Sequence, residues 1–318
     1  MESFVNFLYA AVVAATPLLF GTVGEIITEK AGNLNLGVEG MMWVGAFFGF
    51  YVALKSNNIF LAIVVSFIAA AFCALIYAFI TVTLKANQNV AGLTLTTFGI
   101  GISKVLGEAM TRQIGAAPAL SAEIKNSVTA VSIPFLSDIP YIGKLIFSHN
   151  LFVYLAVAVA VIAAIYFKHT RNGLNVRAIG ENPAAADAAG INVTLMKYIN
   201  IIIGGGICGI GGAYMAIVTA NGSWQPNGIV NGTGWIAVAL VIFASWSPAR
   251  AILGSFVFGM FSVLKYYVPA DVITVPTAIY SMLPFLLTAI ILVITSISKN
   301  KKNSQPASCG VNYFREER

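Results

Sequence analysis

Long runs of apolar residues alternate along this chain with short polar connections. Read as helices, nine of these runs come close to or exceed the length that crosses about 30 Å of hydrocarbon. They lie near residues 5–27, 36–54, 59–84, 89–109, 150–167, 197–220, 234–247, 250–268 and 275–297. The run at 234–247 is too short to cross fully unless it tilts or is joined to a re-entrant segment. The pattern predicts an all-α polytopic membrane bundle of about nine helices, within a range of eight to ten.

Composition indicates the same class of protein. Of the 318 residues, 58% are hydrophobic and only 9% are charged, and the mean hydropathy is +0.85. A soluble domain has about 25% charged residues, so 18 basic and 12 acidic side chains cannot cover a soluble protein of this length. We expect one transmembrane domain over residues 1–298 and a basic polar cytoplasmic tail over 299–318. The three cysteines and two histidines lack metal-binding spacing, so no metal site is predicted.

Basic residues are divided unequally between alternate connections. With the N-terminus outside and the C-terminus inside, cytoplasmic segments carry twelve Lys and Arg residues and external segments five, with Lys104 inside a span. Since cytoplasmic loops of membrane proteins are enriched in these residues, we predict this orientation, and the net charge of +6 requires no nucleic-acid partner. The longest polar connections are then an external loop at 111–149 and a cytoplasmic loop at 168–196.

The cytoplasmic loop contains a helix signal of its own. Pro183 opens an alanine-rich stretch that runs to Ala189, Asn182 precedes it as an N-cap, and Gly190 follows it as a stop signal. We therefore predict a short helix on the solvent side, between two membrane spans.

Polar residues interrupt the entry to the second apolar run, at 32–42. Irregular backbone at membrane depth persists only where it is buried in protein or lines a water-filled cavity. One hypothesis is therefore a broken or re-entrant helix beside a translocation path, with Asn33, Asn35 and Glu39 as polar contacts. The other hypothesis is an ordinary cytoplasmic loop, with Asn35 capping the next helix and Glu39 in its first turn. Both remain open at this point.

The fourth apolar run begins with a series of neutral hydrogen-bonding side chains. They are Asn87, Gln88, Asn89, Thr94, Thr96 and Thr97. Such groups suit a neutral, hydroxyl-rich solute, because a charged solute would require fixed counter-charges, and we include them as candidate path residues. Further along the same run, Lys104 and Glu108 share one helix face, and we expect them to pair or to reach the membrane interface.

Nucleotide-binding motifs are either missing or out of context. No loop of the form GxxxxGK[ST] occurs in the chain, so ATP phosphates have no recognisable binding loop. Gly204, Gly206 and Gly209 match the dinucleotide pattern GxGxxG, but no strand is predicted before them and no acidic residue lies between Asp187 and Asp271. Close packing of a transmembrane helix against its neighbours explains these glycines better.

Two segments resemble signatures of a transporter family. Residues 177–192, RAIGENPAAADAAGIN, resemble the cytoplasmic coupling segment of branched-chain/ribose-type ABC importer permeases. Residues 33–42, NLNLGVEGMM, resemble a second signature, in the form found in permeases that work with basic-membrane-protein-type lipoproteins and import nucleosides. The resemblance extends from about residue 6 to 297. It implies a permease subunit, not an enzyme, in the plasma membrane of a bacterium.

The resemblance also implies partners and coupling residues. The partners are cytoplasmic ABC ATPase subunits, which hold ATP and Mg, a second permease subunit, identical or different, and an external substrate-binding lipoprotein, in addition to membrane lipid. No cofactor is expected in this chain itself. Arg177 and Asp187 would face the ATPase, and the short helix would provide the docking surface. The coupling set is Arg177, Gly180, Glu181, Asn182, Pro183, Ala184, Ala185, Ala186, Asp187 and Gly190.

Other functions compete with this interpretation. Within the same family the substrate is alternatively a simple sugar of the ribose type. A secondary transporter would need ion-coupling carboxylates near mid-membrane, for which Glu39 and Glu108 are the candidates. An integral membrane enzyme would need a cluster of His, Asp or Glu at one interface, and the sequence offers none. The loop at 168–196 is alternatively a solvated linker without a partner.

Overall fold

The computed structural model describes residues 2–132, 137, 139, 142–267, 277–297 and 304–315. Helices account for most of these residues. They are α1 (Glu2–Lys30), α2 (Val38–Ser56), α3 (Ile59–Ala78), α4 (Gln88–Ile114), α5 (Ala122–Ser127), α6 (Ile142–Ile146), α7 (Leu151–His169), α8 (Arg171–Glu181), α9 (Pro183–Ala188), α10 (Val193–Tyr214), α11 (Thr233–Phe243), α12 (Pro248–Leu264) and α13 (Thr277–Ile297). Two-residue strands, β1 (Val131–Ser132) and β2 (Ser148–His149), pair antiparallel between α5 and α7.

The predicted all-α membrane architecture is confirmed at the level of class, but the count of nine spans is not. Five of the described helices are long and apolar enough to cross a membrane. These are α1, α4, α7, and α3 and α10 together with the π turns that end them, Phe79–Thr83 and Met215–Thr219. Helix α11 has only 11 residues, which at 1.5 Å per residue is roughly 16 Å, or half of the hydrocarbon thickness. The start of the last predicted span, 275–276, lies outside the described residues.

The polar connections collect at two opposite ends of the bundle. At one end, the Asn6 side chain accepts a hydrogen bond from Lys144 Nζ at 2.7 Å, near the beginning of α1. At the other end, where α1 finishes, the Lys30 carbonyl lies against Gly180 of α8. Asn57, between α2 and α3, hydrogen-bonds Glu123 at the first of these ends. The grouping agrees with the alternation of sides predicted from the basic residues.

Helix α10 lies at the centre of the bundle and packs against α1, α2 and α3. Its contact faces are glycine-rich, and its neighbours approach through their backbones. A Cβ atom on Gly204 would overlap the Gly24 carbonyl of α1, and one on Gly45 of α2 would overlap the backbone of Gly209. These contacts confirm the packing interpretation of the GxGxxG stretch, because only glycine permits such close approach.

The chain re-enters the bundle between α1 and α2. After Lys30, residues 31–37 turn back, and the Asn35 N–H donates to Glu25 Oε1 at 2.9 Å. The next helix begins at Val38, within van der Waals range of Gly21. Gly21 lies nine residues before Lys30, which is roughly 13 Å along α1. Helix α2 therefore begins well inside the bundle and not at its end.

A second irregular segment, 220–232, precedes α11. Its Trp224 is buried against Phe47 and Phe50 of α2, with ring centroids 5.5 and 5.4 Å away. Eight residues later, Gly232 reaches the first turn of α2. The part of this crossing that contains Trp224 is therefore irregular, and the part that follows Gly232 is the short helix α11. This arrangement explains why the run at 234–247 is too short to cross alone.

Candidate functional site

Glu39 joins the beginnings of α2 and α11, the two helices that begin inside the bundle. Its Oε1 accepts from Gly232 N–H at 2.9 Å and its Oε2 from Gly234 N–H at 2.7 Å. The indole N–H of Trp43 donates to Oε1 at 3.3 Å. The carboxylate thus satisfies backbone donors at the N-terminus of α11, where the helix dipole favours negative charge. Glu39 lies in the first turn of α2, as one of the two hypotheses states, and it contacts both Trp43 of its own helix and the beginning of α11.

Asn33 and Asn35 are buried within the re-entrant connection, each only 1% exposed. Asn35 Oδ1 accepts from the Gly37 N–H at 2.9 Å and so closes a local turn. Helix α2 itself has no side-chain cap at its N-cap residue, Gly37, which means that Asn35 does not cap this helix. The segment is irregular backbone enclosed by protein, which is a condition for such backbone at membrane depth.

The candidate path residues at the beginning of α4 divide into a buried group and an exposed group. Gln88 is buried and accepts from the Leu34 N–H at 2.8 Å, while Thr96 is buried and donates to the Leu36 carbonyl at 2.7 Å. Both hold the re-entrant connection in place. Asn87, which caps α4, lies on the surface of this chain with Asn89, Thr94 and Thr97. The structure therefore does not gather the predicted residues into one site.

Lys104 and Glu108 do not pair with each other. Lys104 Nζ lies 5.9 Å from the centroid of the Trp43 ring, an arrangement typical of a cation–π contact. Glu108 instead forms an exposed ion pair with Arg112, with 3.8 Å between Oε2 and Nη2. Of the two expected alternatives, pairing is not observed, because Lys104 has its neighbour on α2 and Glu108 has its neighbour one turn further along α4. The alternative that these side chains reach the membrane interface stays a prediction.

Further exposed polar side chains lie on the irregular segment 220–232. Gln225, Asn227 and Asn231 are exposed, and Trp235 at the start of α11 is 38% exposed. The segment descends from the level of Phe50 to that of Glu39, so these side chains lie between the two ends of the bundle. Their only sequence signal is a run of Asn, Gln and Gly between two apolar helices.

The predicted short helix in the loop at 168–196 is confirmed. It is α9, Pro183–Ala188, and Asn182 Oδ1 caps it by accepting from the Ala185 N–H at 3.0 Å. Gly190 ends the turn at φ +84°, a conformation that favours glycine. Ala185 is exposed, whereas Ala186 packs inward on Ile179.

A helix that the sequence analysis missed, α8, precedes α9. The Thr170 hydroxyl caps it by accepting from the Gly173 N–H at 3.0 Å. Within α8, Arg177 and Glu181 are exposed. Gly180 is buried against the Lys30 carbonyl, which approaches so closely that a Cβ atom on this residue would overlap it. The predicted coupling residues therefore include exposed side chains and others that attach the loop to the bundle.

Residues 304–315 form a strap across the same end of the bundle. Asp187 of α9, expected to face an ATPase, accepts from the Tyr313 hydroxyl at 2.8 Å and lies 3.2 Å from Arg315 Nε. At the other side of the strap, Ser308 N–H donates to the Gly180 carbonyl at 2.9 Å. This part of the tail is packed against the bundle and was not assigned a structure from the sequence.

The family of the chain follows from its match to known proteins. Helices that are interrupted at membrane depth are a feature of many membrane transporters. Residues 7–293 match the family described as the permease component of branched-chain amino acid transport systems, and the chain belongs to this permease family. It is therefore a translocation subunit.

Individual relatives carry two kinds of substrate name. The putative glucose ABC transporter permease protein TsgC13 of Haloferax volcanii is 37% identical over 81% of this chain and 76% of its own length. The nucleoside ABC transporter permease protein NupC of Lactococcus lactis is 31% identical over 96% of this chain and 95% of its own. The guanosine ABC transporter permease protein NupQ of Bacillus subtilis is 30% identical over 97% and 96%. No solved structure matches the chain.

Proposed function

We propose that the chain is the permease subunit of an ABC importer that carries nucleosides across a bacterial plasma membrane. The observation that carries this proposal is the end-to-end match with the nucleoside permease NupC, which covers 96% of this chain. The guanosine permease NupQ matches over a similar extent. A relative that matches along almost the whole of both chains is a better guide to a shared substrate than one that matches along a part of them.

The energy for transport comes, in this proposal, from a separate ATPase subunit that binds ATP and Mg. Two observations support this. The chain has no GxxxxGK[ST] loop, and α9 projects the exposed Ala185 from a short, capped helix. A small helix with a flat alanine surface fits a cleft on a partner protein. The end that carries α9 and the strap is then cytoplasmic, in agreement with the distribution of basic residues.

The translocation path lies, in this proposal, along the exposed face of α4 and the irregular segment 225–231, and a second permease subunit completes it. Exposed amides at membrane depth are unfavourable against lipid, so Asn227 and Asn231 are better placed facing water or a partner. Such groups hydrogen-bond the ribose hydroxyls and base edges of a neutral nucleoside. The exposed ring of Trp235 offers a surface on which a base stacks. An external lipoprotein delivers the substrate at the opposite end from α9.

Uptake by cells tests the proposal directly. The chain is produced with its ATPase and binding-lipoprotein subunits in a host that lacks nucleoside uptake, and accumulation of labelled guanosine and uridine is measured. We expect ATP-dependent uptake that excess unlabelled nucleoside abolishes and excess glucose or ribose does not. Asn227→Ala should slow uptake, whereas Asn126→Ala, at an exposed position on α5, should leave it unchanged.

A simple sugar is the second candidate substrate. The 37% identity with a putative glucose permease favours it. In the same cells, uptake of labelled glucose or ribose that nucleosides do not inhibit would replace the nucleoside assignment. It would leave the role of the chain as a permease unchanged.

A further inference from the structure

The strap, residues 304–315, is bonded to α8 through one serine. The Ser308 hydroxyl donates to the carbonyls of Gly180 and Ile179, with oxygen–oxygen distances of 2.6 and 3.0 Å. Its backbone N–H also bonds to Gly180, and Pro306 packs on the same glycine. Ser308 is only 8% exposed. The carbonyls at the end of α8, which that helix leaves without partners of its own, are thus satisfied by the strap.

A single amide joins the strap to the two connections at the inner ends of the spans. Asn312 Nδ2 donates to the carbonyls of Lys85 and Ala86, at 2.6 and 3.0 Å, between α3 and α4. Its Oδ1 accepts from Gln88 Nε2 at 3.1 Å. Gln88 in turn accepts from the Leu34 N–H of the re-entrant connection. Asn312 therefore holds the 85–88 connection directly and the re-entrant connection through Gln88.

The end of the strap holds α9 through Asp187. The Tyr313 hydroxyl donates to Oδ2 at 2.8 Å, and Arg315 Nε lies 3.2 Å from the same oxygen. The Arg315 side chain is 76% exposed and Asp187 is 12% exposed. Since exposed ion pairs contribute little, the Tyr313 hydrogen bond is the stronger of the two attachments. The Tyr313 ring also packs against the small apolar cluster of α8 and α9 around Ile179 and Ala186.

These contacts connect α9 with the re-entrant connection through neighbouring residues of one segment. Asn312 and Tyr313 are adjacent in sequence, yet one binds the 85–88 connection and the other binds α9. A displacement of α9 therefore pulls directly on the structure that holds Gln88 and Leu34. Helix α9 has only six residues, of which Ala186 alone is fully buried, so the strap is a substantial part of its support.

We propose that the strap transmits movement of α9 to the inner ends of α1–α2 and α3–α4, and that Asn312 and Tyr313 are its positioning residues. The proposal rests on the proposed function, because it takes α9 as the helix that an ATPase moves. In an alternating-access transporter, the inner ends of the spans must open when the ATPase changes state. The strap provides a continuous hydrogen-bonded route for that coupling.

The test compares ATP hydrolysis with transport in the complete transporter reconstituted into vesicles. Asn312→Ala removes the bonds to Lys85, Ala86 and Gln88, and Tyr313→Phe removes only the hydroxyl that binds Asp187. We expect substrate moved per ATP to fall about five- to tenfold in Tyr313→Phe, which loses one hydrogen bond of ordinary strength. The fall should be larger in Asn312→Ala, which loses three. Binding of the ATPase and its hydrolysis rate should be unchanged. The matched control is Val311→Ala, whose 60% exposed side chain lies in the same segment.

Three results would overturn the proposal. Unchanged transport per ATP in both variants would show that the strap does not transmit movement. Faster transport would show that the strap restrains the transporter instead. Loss of ATPase binding would make Asn312 and Tyr313 part of the docking surface.

A second measurement separates this proposal from the proposed function. In the permease alone, in a lipid nanodisc, hydrogen exchange of residues 85–88 is followed in Tyr313→Phe, which removes the hydroxyl bound to Asp187 of α9. Faster exchange there shows that a change at α9 reaches the connection, even if the wild-type complex transports nothing and the proposed function fails. If exchange is unchanged and the wild-type complex does transport, the proposal about the strap is overturned and the proposed function stands.

Discussion

The carboxylate of Glu39, in the first turn of α2, accepts a hydrogen bond from the backbone N–H of Gly234, in the first turn of α11. The two residues are 195 positions apart, and the N–O distance is 2.7 Å. Both helices begin inside the bundle, after irregular segments whose backbone groups have lost regular partners. One buried side chain therefore stabilises the meeting point of two broken spans, since it offers a charged acceptor where a helix begins.

Replacing Glu39 should destabilise the bundle. Glu39→Ala leaves the N–H groups of Gly232 and Gly234 without this acceptor, and we expect a loss of about 2–5 kcal/mol in the free energy of unfolding. Glu39→Gln keeps an amide oxygen and should lose less. Thermal unfolding in detergent measures the difference. Glu108→Ala is the matched control, because its side chain is 61% exposed and forms only a surface ion pair. Equal midpoints for Glu39→Ala and the control would contradict this role.

The glycine faces of α10 should tolerate no side chain. Gly209→Ala places a Cβ against Ala70 Cβ and the Ser66 carbonyl of α3, and such overpacking typically costs about 1–3 kcal/mol. Gly101→Ala on α4 has nothing within 4 Å of the added carbon, and its better helix propensity should stabilise by up to about 1 kcal/mol. The yield of folded protein and the thermal midpoint should therefore both fall in Gly209→Ala and both rise in Gly101→Ala. A destabilised Gly101→Ala would indicate that a partner subunit covers this position.

Local signals in the sequence predicted more of the structure than distant ones. The cap at Asn182, the proline at the first turn and Gly190 lie within nine residues, so α9 could be placed to within a residue of its observed end. The bond from Glu39 to Gly234 could not be predicted, because it depends on two irregular segments meeting in space. The strap was missed for the same reason. Ser308 and Asn312 have no pattern of their own, and their partners are backbone carbonyls far away in the chain.

Acidification should destabilise the protein through His149. Burial lowers the pKa of this side chain from its ordinary value of 6.5, although the carbonyl of Leu145 partly opposes the shift. The ring also stacks on Tyr9, with centroids 4.6 Å apart. Because the folded protein binds the proton less readily than the unfolded chain, this contribution is complete above pH 6.5 and declines as the pH falls through 6.5 toward the lower folded pKa.

The pH dependence is measured as the thermal midpoint between about pH 7.5 and pH 4.5, a range that extends roughly one unit above and two units below the pKa of an ordinary histidine. His149→Gln removes the titrating group, and its midpoint should fall less over this range than that of the wild type. Parallel curves for the two proteins would show that His149 does not contribute.

The sidedness of the chain is tested by labelling introduced cysteines in intact cells. Cys309 is first replaced by Ser, while Cys73 and Cys208 are buried and remain. A membrane-impermeant thiol reagent should label Asn126→Cys from outside and Ala185→Cys only after the cells are opened, because their connections lie at opposite ends of the bundle. Labelling of both positions from the same side would reject the predicted orientation.

A charge on α9 should uncouple the permease from its proposed ATPase. Ala185→Asp introduces a carboxylate at an exposed position on this helix, where docking would bury it without a partner. Such a charge costs about 3 kcal/mol or more, which corresponds to about a hundredfold loss of ATPase affinity. Transport should fall, whereas abundance in the membrane should persist because the side chain lies outside the packed core. Co-purification of the ATPase and substrate uptake are the measurements.

The matched control for this variant is Ala185→Ser, which changes polarity without adding charge and leaves the Asn182 cap intact. It should bind the ATPase almost as well as the wild type. Normal transport by Ala185→Asp would mean that α9 is a solvated linker and that the ATPase binds elsewhere. A fall in membrane abundance would instead assign α9 a part in folding, as expected if its inward contacts through Ala186 and Asp187 were the sensitive ones.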